Sequence, residues 1–421
     1  MQFSRFGDFL SSGSGIVQLM EDLGSAVHAE HPIYMLGGGN PGAIPEVQQY
    51  FRGAMANLIR SDQSFDDITG RYDSPDGDAG FRQTMASFLN EQFEWHLGPD
   101  NIAVTNGSQS SFFTLFNLFA GEFADGKNRK ILLPVTPEYI GYSDVGLGND
   151  LFVSIQPTIE LLDDHLFKYH LDLEQLSVDD SIGAVCVSRP TNPTGNVLTD
   201  EEIAVIHEQC QTADVPFIID GAYGTPFPNI IFTEARPVWD HNIILCLSLS
   251  KIGLPGVRTG IVVASEPVIE AISASNAIMS LAPGSIGPSL IQPALQNGDV
   301  TRISNQLVKP FYRNKAWQAV DWLRQQLHGL PFRIHQPEGA IFLWLWLEGL
   351  PVTSIELYER LKHRGVLVIA GEHFFPGLQD DGSWRHRYEC LRISYAGDER
   401  TVFEGIRIIA DEVRQAYSSS D

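Results

Sequence analysis

One lysine of this sequence stands where its amine could act as a nucleophile. Lys251 lies in SLSKIGLPGVRTG, between two apolar runs. Burial among apolar groups lowers the pKa of a lysine, and its neutral amine attacks carbonyl carbons, whereas a lone loop lysine is usually a solvated surface group. Ser248 and Arg258 in the same segment favour the reactive interpretation, because both donate hydrogen bonds to phosphate oxygens. Ser250 could belong to this cradle or cap the strand end, so we assign it no role.

A second segment could also bind phosphate. NGSQSSFFTLF follows the run IAVT and passes into an apolar helix, so Ser108 and Gln109 stand at a predicted helix N-terminus. Free backbone amides at such a terminus attract anions, although an ordinary helix cap is the favoured explanation when this segment is taken alone. The early LGGGNP also exposes backbone amides, at Gly38 and Gly39, but it does not match the GxGxxG spacing of dinucleotide-binding loops.

Two further segments place polar side chains after apolar runs. Asp220 ends the run in IIDGAYG, and an unpaired carboxylate is costly to bury there. Its partner could be the protonated pyridine nitrogen of a cofactor or an arginine of the chain, and capping of a helix is a further alternative. RPTNPTG predicts a turn around Asn192, whose amide could bond a phenolic oxygen.

The apolar runs that precede these segments predict one sheet. From about residue 100 to 264 they alternate with longer helical or mixed stretches, which is typical of parallel strands joined by crossovers. Ligands bind beyond the carboxyl ends of the strands in such sheets, where these polar segments stand. The predicted strands are residues 102–105, 130–133, 151–155, 184–188, 217–220, 243–248 and 260–264.

The rest of the chain predicts two other regions. We expect residues 1–48 to form an N-terminal arm and part of a small domain, 49–300 the large domain, and 301–421 the small α+β domain. The last region contains an amphipathic stretch over 307–327, the run AIFLWLWL, the helical pattern TSIELYERLKHRG and a helix near 400–417.

Charge and cysteine content limit the partners and the compartment. The chain has 52 acidic and 28 basic side chains, a formal net charge of −24, which disfavours nucleic acids and anionic membranes as partners. Its four cysteines contain no CxxC pair and predict buried thiols in a reducing cytosol. No apolar run is long enough to span a bilayer, so we expect a cytoplasmic protein, and we predict no metal site.

Taken in order, these segments resemble the class I/II branch of the fold type I aminotransferases, which depend on pyridoxal 5'-phosphate (PLP). The most specific segment is SLSKIGLPGVRTG, and NPTG, DGAYG and RISY stand at the expected places around it. The implied fold is a large α/β domain with a mostly parallel seven-stranded sheet and a smaller α+β domain. LGGGNP, NGSQSSFF, PEYIGY, SRPTNPTG and EGAIFLWLW are similar to the branch that exchanges amino groups between valine and pyruvate.

The resemblance implies a role for each residue near the cofactor ring. Lys251 would hold PLP as a Schiff base and move the substrate proton, and Asp220 would keep the pyridine nitrogen protonated. Tyr223 and Asn192 would bond the phenolic oxygen, while Tyr139 of PEYIGY would stack on the ring. Asp220, Tyr223 and Lys251 are the implied catalytic residues.

The resemblance also implies phosphate and substrate sites. Tyr72 of RYDSPDG would reach the phosphate from a second subunit, which implies a homodimer with composite active sites. The substrate carboxylate would be held by Arg392 of LRISY with Asn192 and the Gly39 amide. The remaining phosphate ligands are Ser108, Gln109, Ser248 and Arg258.

The implied reaction is a ping-pong transfer of an amino group between a small aliphatic amino acid and a 2-oxo acid. The segment SGIVQLM, the loop after Met35 and residues 277–283 offer mainly apolar or small groups for a side-chain pocket. An alanine or broad-specificity aminotransferase, or a PLP lyase, is the alternative on the same fold. A PLP-dependent regulator is disfavoured, because such proteins carry a basic DNA-binding module and this chain has no basic patch.

Borohydride reduction tests the central assignment. Treatment of the cofactor-loaded protein should fix the cofactor covalently to the peptide that contains Lys251, while Lys251→Ala should bind PLP and turn over only at a trace rate. Peptide mass spectrometry locates the adduct. A cofactor found on any other lysine would refute the assignment.

Overall fold

The structure is a computed structural model that describes residues 2–11, 17, 24, 33–148 and 150–418. Its helices are α1 (Arg5–Ser11), α2 (Pro45–Arg60), α3 (Asp62–Gly70), α4 (Ala79–Phe93), α5 (Ser108–Phe119), α6 (Asp200–Ala213), α7 (Glu266–Ser280), α8 (Ile286–Gln296), α9 (Asp299–Arg302), α10 (Lys309–Gln326), α11 (Ser354–His363) and α12 (Glu399–Ser418). A π-helical turn, Ile303–Val308, joins α9 to α10.

The strands fall into two large sheets and one short parallel pair. They are β1 (Tyr34–Met35), β2 (Ile102–Thr105), β3 (Gly121–Glu122), β4 (Asn128–Leu133), β5 (Phe152–Ser154), β6 (Thr158–Leu161), β7 (Leu166–His170), β8 (Ile182–Ser188), β9 (Phe217–Asp220), β10 (Ile243–Ser248), β11 (Gly260–Val263), β12 (Phe332–His335), β13 (Phe342–Leu347), β14 (Val366–Leu367), β15 (Ile369–Ala370) and β16 (Cys390–Ser394).

The first sheet contains all seven predicted strands. Its order is β2-β11-β10-β9-β8-β4, and β5 and the two-residue β3 both pair with β4. The pairs β5-β4, β4-β8, β8-β9 and β9-β10 are parallel, whereas β11 pairs antiparallel with both β10 and β2. Every residue of β8, β9 and β10 is buried, which explains why these strands are almost continuous apolar runs. The mostly parallel sheet is confirmed, with β3 as an added edge strand.

The register of this sheet brings the polar strand ends together. Ser188 at the end of β8 lies directly opposite Asp220 at the end of β9. Asp220 in turn lies opposite Cys246, two residues before the end of β10. The segments that follow β8, β9 and β10 therefore leave the sheet at one edge.

The second sheet has the order β15-β16-β13-β12-β7-β6. Most of its strands come from the C-terminal region, but the β6-β7 hairpin precedes residue 300 and pairs through Leu166 with Ile334 of β12. The predicted domain boundaries stay a prediction, and this hairpin shows that a segment within 49–300 crosses to the C-terminal sheet. The short β1 pairs with β14, which carries the glycine loop after Met35 to the same region.

Two further features of the described residues concern membrane-spanning helices and cysteines. Among the described residues, no helix combines the length and apolar character needed to cross a membrane. All four cysteines are buried and unpaired, as the sequence predicts.

Candidate active site

A cavity of about 440 Å³ opens where β8, β9 and β10 end. Tyr72, which is 80% exposed, is the one candidate residue that does not line it. The structure thus brings together residues from across the chain, while their roles toward a ligand remain predictions. The eleven candidate residues on the cavity wall are Gly39, Ser108, Gln109, Tyr139, Asn192, Asp220, Tyr223, Ser248, Lys251, Arg258 and Arg392.

The Lys251 amine sits at the middle of this wall. Its Nζ donates a hydrogen bond to the Gly39 carbonyl oxygen at 2.6 Å and lies 5.4 Å from the centre of the Tyr223 ring. The pKa of Lys251 is lowered to about 8: burial is the main cause, the charges of Arg392 and Arg258 add to it, and the charge of Asp220 partly opposes them. A substantial fraction of this amine is therefore neutral near physiological pH, as a nucleophile requires.

Asp220 occupies one end of the cavity. One carboxylate oxygen accepts a hydrogen bond from the Tyr142 hydroxyl at 2.8 Å, and the other accepts one from the Ala222 backbone N–H at 2.9 Å. Burial raises the pKa of Asp220, and these two donors together with the charge of Lys251 lower it. The side of the carboxylate that faces the cavity can therefore accept a cationic partner.

Another part of the cavity wall forms an anion cradle at the start of α5. Gly107 caps this helix with a φ of 94°, and a side chain there would come within 2.4 Å of an Arg258 guanidinium nitrogen. Arg258 itself has a left-handed backbone, with a φ of 48°. Such a conformation is uncommon outside glycine and often marks functional positions. Ser108 begins the helix beside this guanidinium, so amides, a hydroxyl and a cation converge.

The other predicted phosphate ligands have partners of their own. The Gln109 side chain donates to the Gly141 carbonyl at 2.9 Å, and this bond fixes the loop after Tyr139. The Ser248 hydroxyl accepts a hydrogen bond from the Ser250 backbone N–H at 3.2 Å. Ser250, which the sequence left without a role, also lines the cavity.

Arg392 reaches the cavity from β16 of the second sheet. Its guanidinium donates to the Asn192 side-chain oxygen at 2.8 Å and to the Gly37 carbonyl at 2.6 Å. It lies 4.1 Å from the centre of the Phe342 ring and 5.3 Å from that of Phe374. Burial lowers the pKa of Arg392 to about 10, so the group stays charged at neutral pH.

Two tyrosine rings, Tyr139 and Tyr223, line the cavity, and the first of them packs closely against the backbone of Gly141. A side chain at Gly141 would lie 2.4 Å from a ring carbon of Tyr139, so only glycine lets this ring take its place. Tyr223 is buried across the cavity and packs edge to face with Phe342, with ring centres 6.0 Å apart. Both predicted aromatic positions therefore face the cavity.

Four residues of this site escaped the sequence analysis. Glu138, Tyr142 and Ser188 form hydrogen bonds behind Asp220, and Phe342 supports Arg392. A signal for the first two was present in PEYIGY, where a glutamate and a second tyrosine flank the predicted ring-stacking residue. Within the described residues, no cluster of three histidine, cysteine, aspartate or glutamate side chains could hold a metal.

Comparison with known proteins gives concordant matches. The family model described as aminotransferase class I and II matches residues 51–409. The valine–pyruvate aminotransferase of Escherichia coli (strain K12) is 49% identical over 420 residues, which cover 100% of both chains.

Solved structures give the same result. The chain is similar to a putative amino-acid aminotransferase from Psychrobacter arcticum 273-4, with a TM-score of 0.96, 47% identity and 99% coverage of both chains. It is also similar to the valine–pyruvate aminotransferase of Salmonella typhimurium LT2, with a TM-score of 0.88, 47% identity and coverage of 96% of this chain and 100% of the other. Aspartate aminotransferase from Thermus thermophilus, with a TM-score of 0.78 and 18% identity, shares the fold.

The lowered pKa of Lys251 can be measured in the cofactor-free protein. Lys251 should react with an amine-selective acylating reagent with a midpoint near pH 8, because only the neutral amine reacts. Lys127 is a matched control, since the hydrogen bond and charge of Asp180 raise its pKa, and it should need a higher pH. Peptide mass spectrometry over a pH series measures both residues. Equal midpoints would contradict the assignment.

Proposed function

The chain belongs to the class I and II aminotransferases, and on that basis we propose that it binds PLP and transfers amino groups between a small aliphatic amino acid and a 2-oxo acid. The reaction we favour is L-valine + pyruvate = 3-methyl-2-oxobutanoate + L-alanine. The full-length identity of 49% to the Escherichia coli enzyme supports this reaction. The observation that carries it is the convergence of Lys251, Asp220 and Arg392 on one cavity.

The polar groups of the cavity fit the polar groups of PLP. The cradle of Gly107, Ser108 and Arg258 suits a phosphate, because a side chain at Gly107 would fill it and a guanidinium faces it. The buried Asp220 carboxylate suits a protonated pyridine nitrogen. The Lys251 amine lies on the same wall and suits the carbonyl carbon.

Lys251, Asp220 and Tyr139 have separate roles in the proposed reaction. Bound PLP supplies an electron sink for the bond pair released at the substrate Cα. The neutral Lys251 amine would take the proton from that Cα and deliver it to the former carbonyl carbon of PLP, which makes this residue first a base and then an acid. Asp220 keeps the pyridine nitrogen protonated, and Tyr139 covers the ring.

Arg392 orients the substrate through its carboxylate. Its charge is buried, and its Nε has no hydrogen-bond partner among the described residues, so a donor remains for an anionic ligand. The Asn192 side chain and the Gly37 carbonyl hold the other two guanidinium nitrogens in place. Every 2-amino or 2-oxo acid has a carboxylate that Arg392 can bind. Arg392 therefore selects this class of substrate but does not discriminate among its members.

Selection within the class depends on the absence of a further cation. Among the described residues that line the cavity, the arginines are Arg258 at the cradle and Arg392, with Lys251 between them. A substrate with a second carboxylate would therefore leave a charge unpaired. Of the three segments predicted to form the side-chain pocket, the loop after Met35 contributes Gly39, and residues 277–283 do not line the cavity of this chain. Most of SGIVQLM lies outside the described residues.

We further propose a homodimer with composite sites. Tyr72 is 80% exposed, and Ile278 and Leu281 are 86% and 60% exposed. The Ser285 hydroxyl donates to the Asp73 carboxylate at 2.5 Å, and the Asn106 side chain donates to the Ser280 hydroxyl at 3.0 Å. These bonds hold the apolar patch beside the anion cradle. An exposed apolar patch in this position suits a second copy whose Tyr72 completes the phosphate site.

A reducing compartment such as the cytoplasm fits this assignment. The four thiols are buried and unpaired, and burial raises the pKa of each of them. Their low reactivity is that of structural cysteines, which need no oxidising environment.

Substrate ranking tests the proposed reaction. Valine, alanine and 2-aminobutyrate should be the preferred donors, with pyruvate or 3-methyl-2-oxobutanoate as acceptors. Aspartate and glutamate should have a kcat/KM lower by about a hundredfold or more, because their second carboxylate would be buried without a partner. Aliphatic donors that differ by one methylene should differ less in kcat/KM, since one methylene contributes about 1–3 kcal/mol to discrimination between substrates. A donor assay that also measures ammonia separates transamination from a lyase, and preference for an acidic donor over valine would refute the proposal.

Subunit complementation tests the composite site. Tyr72→Phe and Arg258→Ala, each inactive alone, should partly rescue each other, because their heterodimer contains one intact site. Random exchange of equal amounts limits the recovery to about a quarter of wild-type activity. Arg258→Ala mixed with Lys251→Ala is the matched control and should show no rescue, since one chain supplies both residues to each site. An active monomer in sedimentation would contradict the homodimer.

A further inference from the structure

A second carboxyl group is buried behind Asp220. Glu138 has only 2% of its surface exposed and does not line the cavity. The groups within hydrogen-bond distance of its carboxyl oxygens are neutral: the Ser188 backbone N–H at 2.7 Å and the Tyr139 backbone N–H at 3.3 Å, which donate to it, and the Ser188 hydroxyl. No ion pair involves Glu138 in the described part of the chain. A buried carboxylate with such surroundings is costly.

Two hydroxyl groups connect Glu138 to Asp220. The Ser188 hydroxyl contacts the Glu138 carboxyl on one side and lies 3.3 Å from the Tyr142 hydroxyl on the other. The Tyr142 hydroxyl donates to the Asp220 carboxylate at 2.8 Å. Because Ser188 lies directly opposite Asp220 in the sheet, the strand register itself aligns this hydrogen-bond chain.

Counting hydrogens distinguishes the two charge states of Glu138. If Glu138 is ionised, Ser188 donates to it and Tyr142 donates to Asp220, so no hydrogen lies between the Ser188 and Tyr142 oxygens. If Glu138 is protonated, it donates to Ser188, Ser188 donates to Tyr142, and Tyr142 donates to Asp220, so each contact contains one hydrogen. The neutral state of Glu138 therefore satisfies the whole chain.

The electrostatics favour the same state. The pKa of Glu138 is raised to about 8: burial is the main cause and the charge of Asp220 adds to it, while contacts with Ser188 partly oppose both effects. The negative charge of Asp220 disfavours a second charge on Glu138. Asp220 has the charge of Lys251 and two hydrogen-bond donors to stabilise its ionised form, whereas Glu138 has contacts with neutral groups and no ion pair among the described residues, so the proton belongs on Glu138.

We propose that Glu138 is a positioning residue: as a neutral acid it orients the Ser188 and Tyr142 hydroxyls toward Asp220, and so keeps Asp220 ionised for the pyridine nitrogen of PLP. This inference rests on the proposed function, because it requires Asp220 to meet the cofactor. Glu138 acts through Tyr142 and touches neither substrate nor cofactor.

A double-mutant cycle on PLP affinity tests this coupling. The cofactor-free wild type, Glu138→Ala, Tyr142→Phe and the double variant are each titrated with PLP, and the Kd is read from the absorbance of the bound cofactor. Each single change should weaken binding by about tenfold, the effect of one hydrogen bond to a charged group. The double variant should bind no more weakly than Tyr142→Phe, because Tyr142 transmits the effect of Glu138. Additive losses of about a hundredfold would overturn the proposal.

Glu138→Gln separates hydrogen-bond donation from charge. Its amide can still donate to Ser188, so its Kd for PLP should stay within about threefold of wild type. A loss as large as that of Glu138→Ala would overturn the proposal, as would a Glu138→Gln protein that binds PLP much more tightly. If Glu138→Ala fails to fold, Glu138→Gln still provides the comparison.

Infrared spectroscopy reads the protonation state without cofactor or turnover. The wild type at neutral pH should show the carbonyl band of a buried, protonated carboxylic acid, and Glu138→Gln should lack it. Glu389→Gln removes another buried glutamate, one that accepts hydrogen bonds from Trp346 and Arg385, and should leave the band in place. A band that persists in Glu138→Gln refutes the inference. A wild-type protein that binds no PLP refutes the proposed function instead.

Discussion

The arrangement of the site follows from one constraint: the carboxyl group of Asp220 ends an otherwise apolar, fully buried strand, where burial raises its pKa and disfavours its charge. Such a group needs donors on every side that water cannot reach. They come from the segments that follow three strands of the parallel part of the sheet, β4, β9 and β10. The same edge therefore gathers the Ala222 amide, the Tyr142 hydroxyl and the Lys251 amine around the carboxylate. Its one open direction faces the cavity.

A second buried charge ties the two sheets together. Arg392 extends from β16 to Asn192, which follows β8, and to the Gly37 carbonyl after β1. Nearby, Lys168 of the β6-β7 hairpin pairs with Glu338 and donates to the Val197 carbonyl at 3.1 Å. Removing one partner from a buried charge pair is strongly destabilising, so these contacts fix the Asn192 turn against both sheets. The proposed substrate carboxylate site consequently lies where the two sheets meet.

Much of this arrangement is predictable because its signals are local. Each of the seven strands of the first sheet is an apolar run, and the polar segment after it marks the active edge. The β6-β7 hairpin was not predicted, since its position depends on pairing with β12, more than 160 residues later in the chain. Glu138 and Tyr142 escaped for a similar reason: their partners Ser188 and Asp220 become neighbours only through the strand register. Tyr72 cannot be placed from one chain, because the site it would complete belongs to another.

The strong acidity of the chain and the anionic nature of its ligands are compatible once distance is considered. The net charge is −24, but the charged side chains on the described cavity wall are Lys251, Arg258, Arg392 and Asp220, which together favour anions. At physiological ionic strength, exposed charges are screened beyond about 8 Å, whereas buried groups are screened much less. A carboxylate or phosphate inside the cavity therefore interacts mainly with these few cations. The proposed neutral state of Glu138 would strengthen this local balance, because Asp220 is the one acidic side chain on the described cavity wall.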